Sequence, residues 1–198
     1  MKVLLVMNKT DIEIVSSIHN GPEFLPISQN DETRRLIFYV ALAVTIFHLL
    51  LLSAIRKCMK NKNHKVTMKA SYQGTNLCIN AFLGIYGMYH YNRSLPPLSD
   101  LSIDEKITGY DQFISFGALQ VGYNLWALPL GLFIIGESKT MLVHHVAAIF
   151  VAGLSSFFNS GFRYHAPFMF GVMEISSVPL SIVNYLRDNH EWAKENCG

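Results

Sequence analysis

The sequence predicts an all-α, multi-pass transmembrane helical bundle of about five spans, and three observations carry that expectation. The chain of 198 residues is 51% hydrophobic and only 15% charged, well short of the roughly 25% charged residues of an ordinary soluble domain. One stretch, Leu36 to Ile55 (LIFYVALAVTIFHLLLLSAI), holds twenty residues without a formal charge. A helix needs about 20 apolar residues to cross a hydrocarbon core roughly 30 Å thick. Further apolar stretches follow, separated by charged or proline-bearing segments.

Residues 1–33 are polar and broken by Asn20-Gly21-Pro22 and Pro26, which predicts an exposed tail. Its apolar piece Val3 to Met7 is shorter than the roughly 7–15 residues of a signal h-region, and no cleavage pattern follows. The first membrane helix is therefore expected to target the chain. After it, Arg56, Lys57, Lys60, Lys62, Lys65 and Lys69 outweigh Arg34 and Arg35 on the other side. By the positive-inside rule this loop is cytosolic and the N-terminus lumenal.

A second, weaker span is expected over Thr75 to Tyr91, with Asn76, Asn80 and His90 lowering its hydropathy and Gly84 and Gly87 allowing close helix approach. Pro96-Pro97 ends it. A third runs from near Gln112 to Ile135, interrupted at Pro129 and Gly131, a fourth from Met141 to Phe158, and a fifth from Phe168 to about Leu186. Five crossings put the C-terminus in the cytosol. The sequons Asn8-Lys9-Thr10 and Asn92-Arg93-Ser94 then both fall on the lumenal side, making Asn8 and Asn92 the glycosylation candidates of a glycoprotein. The organisation expected is a lumenal tail over 1–33, the first helix and basic loop over 34–65, the main membrane domain over 66–188 and a cytosolic tail over 189–198.

A net charge of +2, with no basic stripe interleaved with aromatics, sets nucleic acid aside as a partner. Cys58, Cys78 and Cys197 show no CxxC spacing, so neither a disulfide framework nor a metal site is expected.

Polar groups inside the spans carry what functional signal there is, because ionisable residues at membrane depth are costly and by default face the bundle interior. The candidates are His48, Asn124, Glu137, His144, His145 and Glu174. Glu174, Ser177, Ser181 and Asn184 recur at steps of three or four along the fifth span, and residues so spaced share a helix face. Gln120 and Asn124 do the same on the third. His144 and His145 diverge by about 100° on the fourth, so one is expected in a site and the other against a neighbouring helix. Three consecutive polar seams pack economically if they face one another.

Such a seam has three readings: hydrogen bonds that only hold helices together, recognition of a lipid, or acid–base chemistry on an amine or hydroxyl during acyl transfer. His48 shows no partner in the sequence and reads as structural. Glu137 and Lys139 read as solvated loop residues.

The pieces VGYNLW (Val121 to Trp126), LVHHVAAI (Leu142 to Ile149) and MEISSVPLSIVNYLRD (Met173 to Asp188) together resemble the TLC-domain family, over roughly Val66 to Asp188. That family groups ceramide synthases, translocation-associated membrane proteins, a ceroid lipofuscinosis protein and smaller lipid-related members. The resemblance places Glu174, Ser176, Pro179 and Asn184 on the family's Glu-x-Ser-x-x-Pro segment. Many members carry Asp where this chain has Asn124, and the synthases carry a His-Asp pair where Val172-Met173-Glu174 stands here, which points to the non-synthase branch. Since the family domain usually continues through about two further helices, a short or truncated member is expected.

What the resemblance implies is a protein of the endoplasmic reticulum or a related endomembrane that binds, senses or adjusts sphingolipid or phospholipid composition. Gln120, Asn124, Ser177, Ser181 and Asn184 would contact lipid, and His144, His145 and Glu174 would do any catalysis. Two alternatives stand beside it. One is a ceramide synthase-like N-acyltransferase with acyl-CoA as co-substrate and no resident cofactor; the other is a cargo or translocon accessory protein. The expected partners are membrane lipids, with a homodimer or a second membrane protein covering any exposed polar seam.

Overall fold

The computed structural model describes residues 27–59, 63–102, 113–157 and 162–188, and among them every regular element is helical. Helix α1 (Ile27–Cys58) is the long apolar span, ending in Arg56 and Lys57, where cations complement the partial negative charge of a helix C-terminus. Its buried residues Thr33, Ile37, Val44, His48 and Leu52 form one stripe. The opposite face exposes Phe38, Leu42, Ile46, Leu49 and Leu50, the side a bilayer would wet.

Helix α2 (His64–Arg93) starts where Asn63 accepts a hydrogen bond from the Lys65 amide at 3.1 Å. It begins well before the expected Thr75, so the second half of the basic loop is helical. Buried along it are Thr67, Ser71, Gln73, Thr75, Asn76 and Asn80, making it the inner helix with a polar interior face. Helix α3 (Ile114–Leu130) carries Pro129 and widens into a π turn over Gly131–Ile135. The break expected at Pro129 and Gly131 is thus a change of helical pitch. Gly136, at φ 72°, ends it in the left-handed region, which glycine enters without steric cost.

Helix α4 (Lys139–Phe157) follows at once, capped by Ser138 Oγ accepting from the Met141 amide at 3.3 Å. The expected fifth span is not one helix: α5 (Phe162–Met169) gives way to a 3₁₀ turn over Val172–Ser176 and then to α6 (Ser177–Asp188). The cause is packing. At Gly87 on α2, an added Cβ would lie 2.5 Å from the Gly171 Cα and 2.6 Å from the Pro167 carbonyl, so the two backbones touch there as the expected glycine approach requires.

Among the described residues four segments, Asn30–Cys58, Ile114–Ile135, Lys139–Phe157 and Arg163–Leu186, are long and apolar enough to cross a membrane. Helix α2, with 30 residues, spans about 45 Å at about 1.5 Å per residue and so has the length without the hydropathy. The described residues form an all-α, multi-pass bundle. Two apolar clusters hold it together, one around Ile37, Phe116, Val121, Ala152 and Phe170, the other around Val44, Tyr72, Tyr123, Trp126 and Ala127. Helix α3 contributes to both, which makes it the spine.

Candidate functional site

The polar residues of α2, α3, α4 and the turn before α6 meet in one seam, toward the end of the bundle where α1 finishes and α2 begins. His145 is buried within it, 3% exposed. Asn124 donates through Nδ2 to the Gln120 carbonyl at 2.7 Å, which fixes its Oδ1 as an acceptor. His145 Nδ1 lies 2.6 Å from that oxygen and must therefore donate. The other ring nitrogen, Nε2, faces Glu137 Oε2 at 3.2 Å. An imidazolium beside a carboxylate and a neutral imidazole beside a carboxylic acid both satisfy this contact, and each places one proton between the two groups.

Glu137 overturns an expectation. Its side chain is 8% exposed rather than solvated, because the π turn folds the chain back over the end of α3. The amides of Gly136 and Glu137 both donate to the Gly131 carbonyl, at 2.9 and 3.0 Å. An added Cβ on Gly131 would stand 2.6 Å from Glu137 Oε2, so glycine is what lets the carboxylate lie against the turn.

Glu174 sits at the other side of the seam. Gln120 Nε2 donates to its Oε1 at 2.7 Å and Ser177 Oγ to its Oε2 at 3.1 Å. Ser181 Oγ donates in turn to the Ser177 carbonyl at 2.9 Å. The stripe expected on one continuous helix therefore exists across a helix boundary, with Glu174 in the 3₁₀ turn and the serines on α6. Between the two carboxylates lies a cleft of ≈ 30 Å³, bordered also by Asn80, His144, Ser181 and Asn184. That is room for a water-sized group. Two buried oxygens, Asn80 Oδ1 and Gln120 Oε1, have no hydrogen-bond partner among the described residues.

The histidine pair divides as helix geometry requires. His145 is buried, while His144 is exposed on the cleft wall, its ring 5.8 Å from that of His145. Among the described residues no hydrogen bond reaches the His144 side chain. His48 does have a partner, Thr75 Oγ1 at 3.3 Å from its Nδ1, and its ring lies against Trp126 with centroids 5.3 Å apart. Asn92 is exposed in the last turn of α2. Asn8, Cys197 and both terminal tails fall outside the described residues, apart from 27–33 of the first.

Sequence reasoning set Glu137 aside as solvated and missed Gln73, Asn76, Asn80 and Tyr123 as site residues; all five border the cleft. For α2 the signal was present: Gln73, Asn76 and Asn80 recur at steps of three and four, the rule applied to the fifth span. Tyr123 confirms their inward direction by donating from its hydroxyl to Asn76 Oδ1 at 3.1 Å. Glu137 gave no periodic signal, since it lies between helices.

Among the described residues no group of three His, Cys, Asp or Glu side chains stands at metal-binding separation. Cys58 and Cys78 are exposed and unpaired.

Comparison with curated proteins and with solved structures gives no match to this chain. The family model described as the TLC domain matches residues 68–195, well over half of the chain. The match takes in nearly all of α2, the whole of α3 to α6 and every residue of the seam from Gln73 to Asn184, and the chain belongs to the TLC-domain family.

Proposed function

We propose that this protein handles membrane lipid, binding, sensing or adjusting sphingolipid or phospholipid composition, in the endoplasmic reticulum or a related endomembrane. Membership of a lipid-related membrane family supports the general class. One observation carries the rest: a cleft with two carboxylates and an unpartnered Asn80 oxygen lies within a bundle whose outer faces are apolar. A polar group left unpaired in such surroundings is costly, and the hydrogen-bonding part of a lipid is the ligand such surroundings supply. The basic residues Arg56, Lys57, Lys65, Lys69 and Lys139 gather at the cleft end of the bundle, which favours the cytosolic leaflet by the positive-inside rule.

Recognition fits better than acyl transfer. A general base needs a lone pair within reach of the proton it removes, and both nitrogens of His145 already face Asn124 and Glu137. The enzymatic alternative rests on His144, whose ring borders the cleft. Microsomes depleted of ceramide synthases and supplied with acyl-CoA and sphinganine separate the two. The expected result is no N-acyl product from the protein, together with a lipid profile that changes when the protein is expressed and reverts with Glu174→Gln. Product that vanishes in His144→Ala would establish the enzyme instead.

A further inference from the structure

Two more cavities adjoin the cleft, and one side chain is common to all three. Between the end of α1, the first half of α2 and α6 runs an apolar groove of ≈ 280 Å³, walled by Ile55, Ala70, Gly74, Leu77, Ile182 and Tyr185. At the head of α4 lies a polar cavity, also ≈ 280 Å³, bordered by Lys69, Gly136, Ser138, Thr140 and Asn184. Gln73 lines the groove, the polar cavity and the cleft between them. It is 7% exposed, and among the described residues no hydrogen bond reaches its side-chain amide. Ser181 lines both groove and cleft.

Its primary amide, open to these cavities, offers two donors and an acceptor to whatever fills them. Here the amide stands where an apolar channel turns into a polar one. The same change occurs within a lipid at the linkage between its chain and its head. The groove's volume, just under the roughly 300–1,000 Å³ of ligand pockets, suits one alkyl chain and not two. The cleft is rich in acceptors, Glu137, Glu174 and the unpartnered Asn80 Oδ1, while the polar cavity beside it adds Lys69 and the hydroxyls of Ser138 and Thr140. A hydroxyl donor satisfies the cleft, whereas a phosphate there would bring more acceptors and a negative charge toward two carboxylates.

Building on the lipid-handling reading, we infer that the site takes a neutral single-chain lipid with free hydroxyls, of the monoacylglycerol class. Its tail lies in the groove between α1, α2 and α6, its ester carbonyl accepts from Gln73 Nε2, one hydroxyl enters the cleft and the rest of the head lies in the polar cavity. Gln73 is then a specificity-determining residue, reading the linkage and not the head.

The test uses the full chain in phosphatidylcholine nanodiscs and a monoacylglycerol carrying a diazirine in its acyl chain, with crosslinked positions mapped by mass spectrometry. Saturable labelling of Leu77 or Ile182 is expected, displaced by unlabelled monoacylglycerol but not by lysophosphatidylcholine. Gln73→Leu should weaken the apparent affinity by up to about tenfold, the most a single neutral hydrogen bond usually supplies. Leu77→Trp, which fills the groove, should abolish labelling, and it decides the matter if Gln73→Leu does not fold. Labelling no greater than that from a headless photoreactive alkane, or unchanged by Leu77→Trp, overturns the inference. So does equal displacement by lysophosphatidylcholine. If Glu174→Gln abolishes lipid binding while Leu77→Trp does not, the groove assignment falls and the seam reading stands.

Discussion

Asn124 shows how much one amide can decide. Its nitrogen is committed to the Gln120 carbonyl and its oxygen to His145, so it sets the tautomer of the imidazole from a distance of one helix. Aspartate in this place would still accept from His145 but would turn an acceptor toward the Gln120 carbonyl, where a donor now stands. Asn124→Asp is expected to destabilise the bundle by ~1–3 kcal/mol, the usual cost of a buried polar group left without its partner. Thermal unfolding in detergent measures it, and Asn124→Ala should cost at least as much. The inward direction of Gln120, Asn124, His145 and Glu174 was legible in the sequence because helical spacing fixes direction. Glu137 was not, for a loop residue has no period to read, and only the π turn reveals where its carboxylate points.

At the level of elements, two glycines set distances that larger residues cannot keep. Gly131→Ala would force Glu137 Oε2 away from the π turn and break its contact with His145 while leaving α3 helical. Its expected signature is a modest loss of stability, with His145 becoming reactive toward diethylpyrocarbonate. Gly87→Val would push α2 off the α5–turn junction, where an added Cβ already lies within 2.6 Å of backbone. Overpacking of this kind typically costs ~1–3 kcal/mol, and a melt of the variant beside Gly153→Ala, where a Cβ meets nothing within 4 Å, isolates the effect. The sequence placed the four apolar segments and the more polar α2 in order, but it began α2 late and drew the fifth as one helix. Gly171 and Pro167 marked the interruption only once their contact with Gly87 was visible, because a helix break depends on what packs against it.

Taken whole, the bundle has an outer and an inner layer, and orientation in the membrane can be tested with its own cysteines. Cys58 is exposed in the last turn of α1, and Cys78 is exposed on the flank of α2, about 21 Å along that helix from His64 at about 1.5 Å per residue. In a Cys197→Ser background and sealed microsomes, a membrane-impermeant maleimide should label Cys58 without permeabilisation and should not label Cys78. Labelling of Cys58 only after permeabilisation would invert the proposed topology. Glycan removal should shift the intact protein and leave an Asn8→Gln/Asn92→Gln form unchanged if the sequons face the lumen. Hydropathy read the outer layer well, since lipid-facing surface and apolar composition coincide in α1 and α4. It undervalued α2 because that helix spends its polar residues inward, on Tyr123, His48 and the cleft.

That inner helix has a consequence for how the protein is made. During synthesis each segment is offered to the bilayer in turn, and one carrying Gln73, Thr75, Asn76 and Asn80 near its middle gains little by leaving water alone, since polar residues at the centre of a span oppose insertion. Its entry is expected to be favourable only when α1 and α3 bring His48 and Tyr123 to Thr75 and Asn76. Fused alone to a glycosylation reporter, residues 64–93 should insert poorly, and with residues 27–135 present they should insert well. Membrane integration and folding are then one event for α2, and a mutation that spoils the seam would be seen first as a protein with the wrong number of crossings.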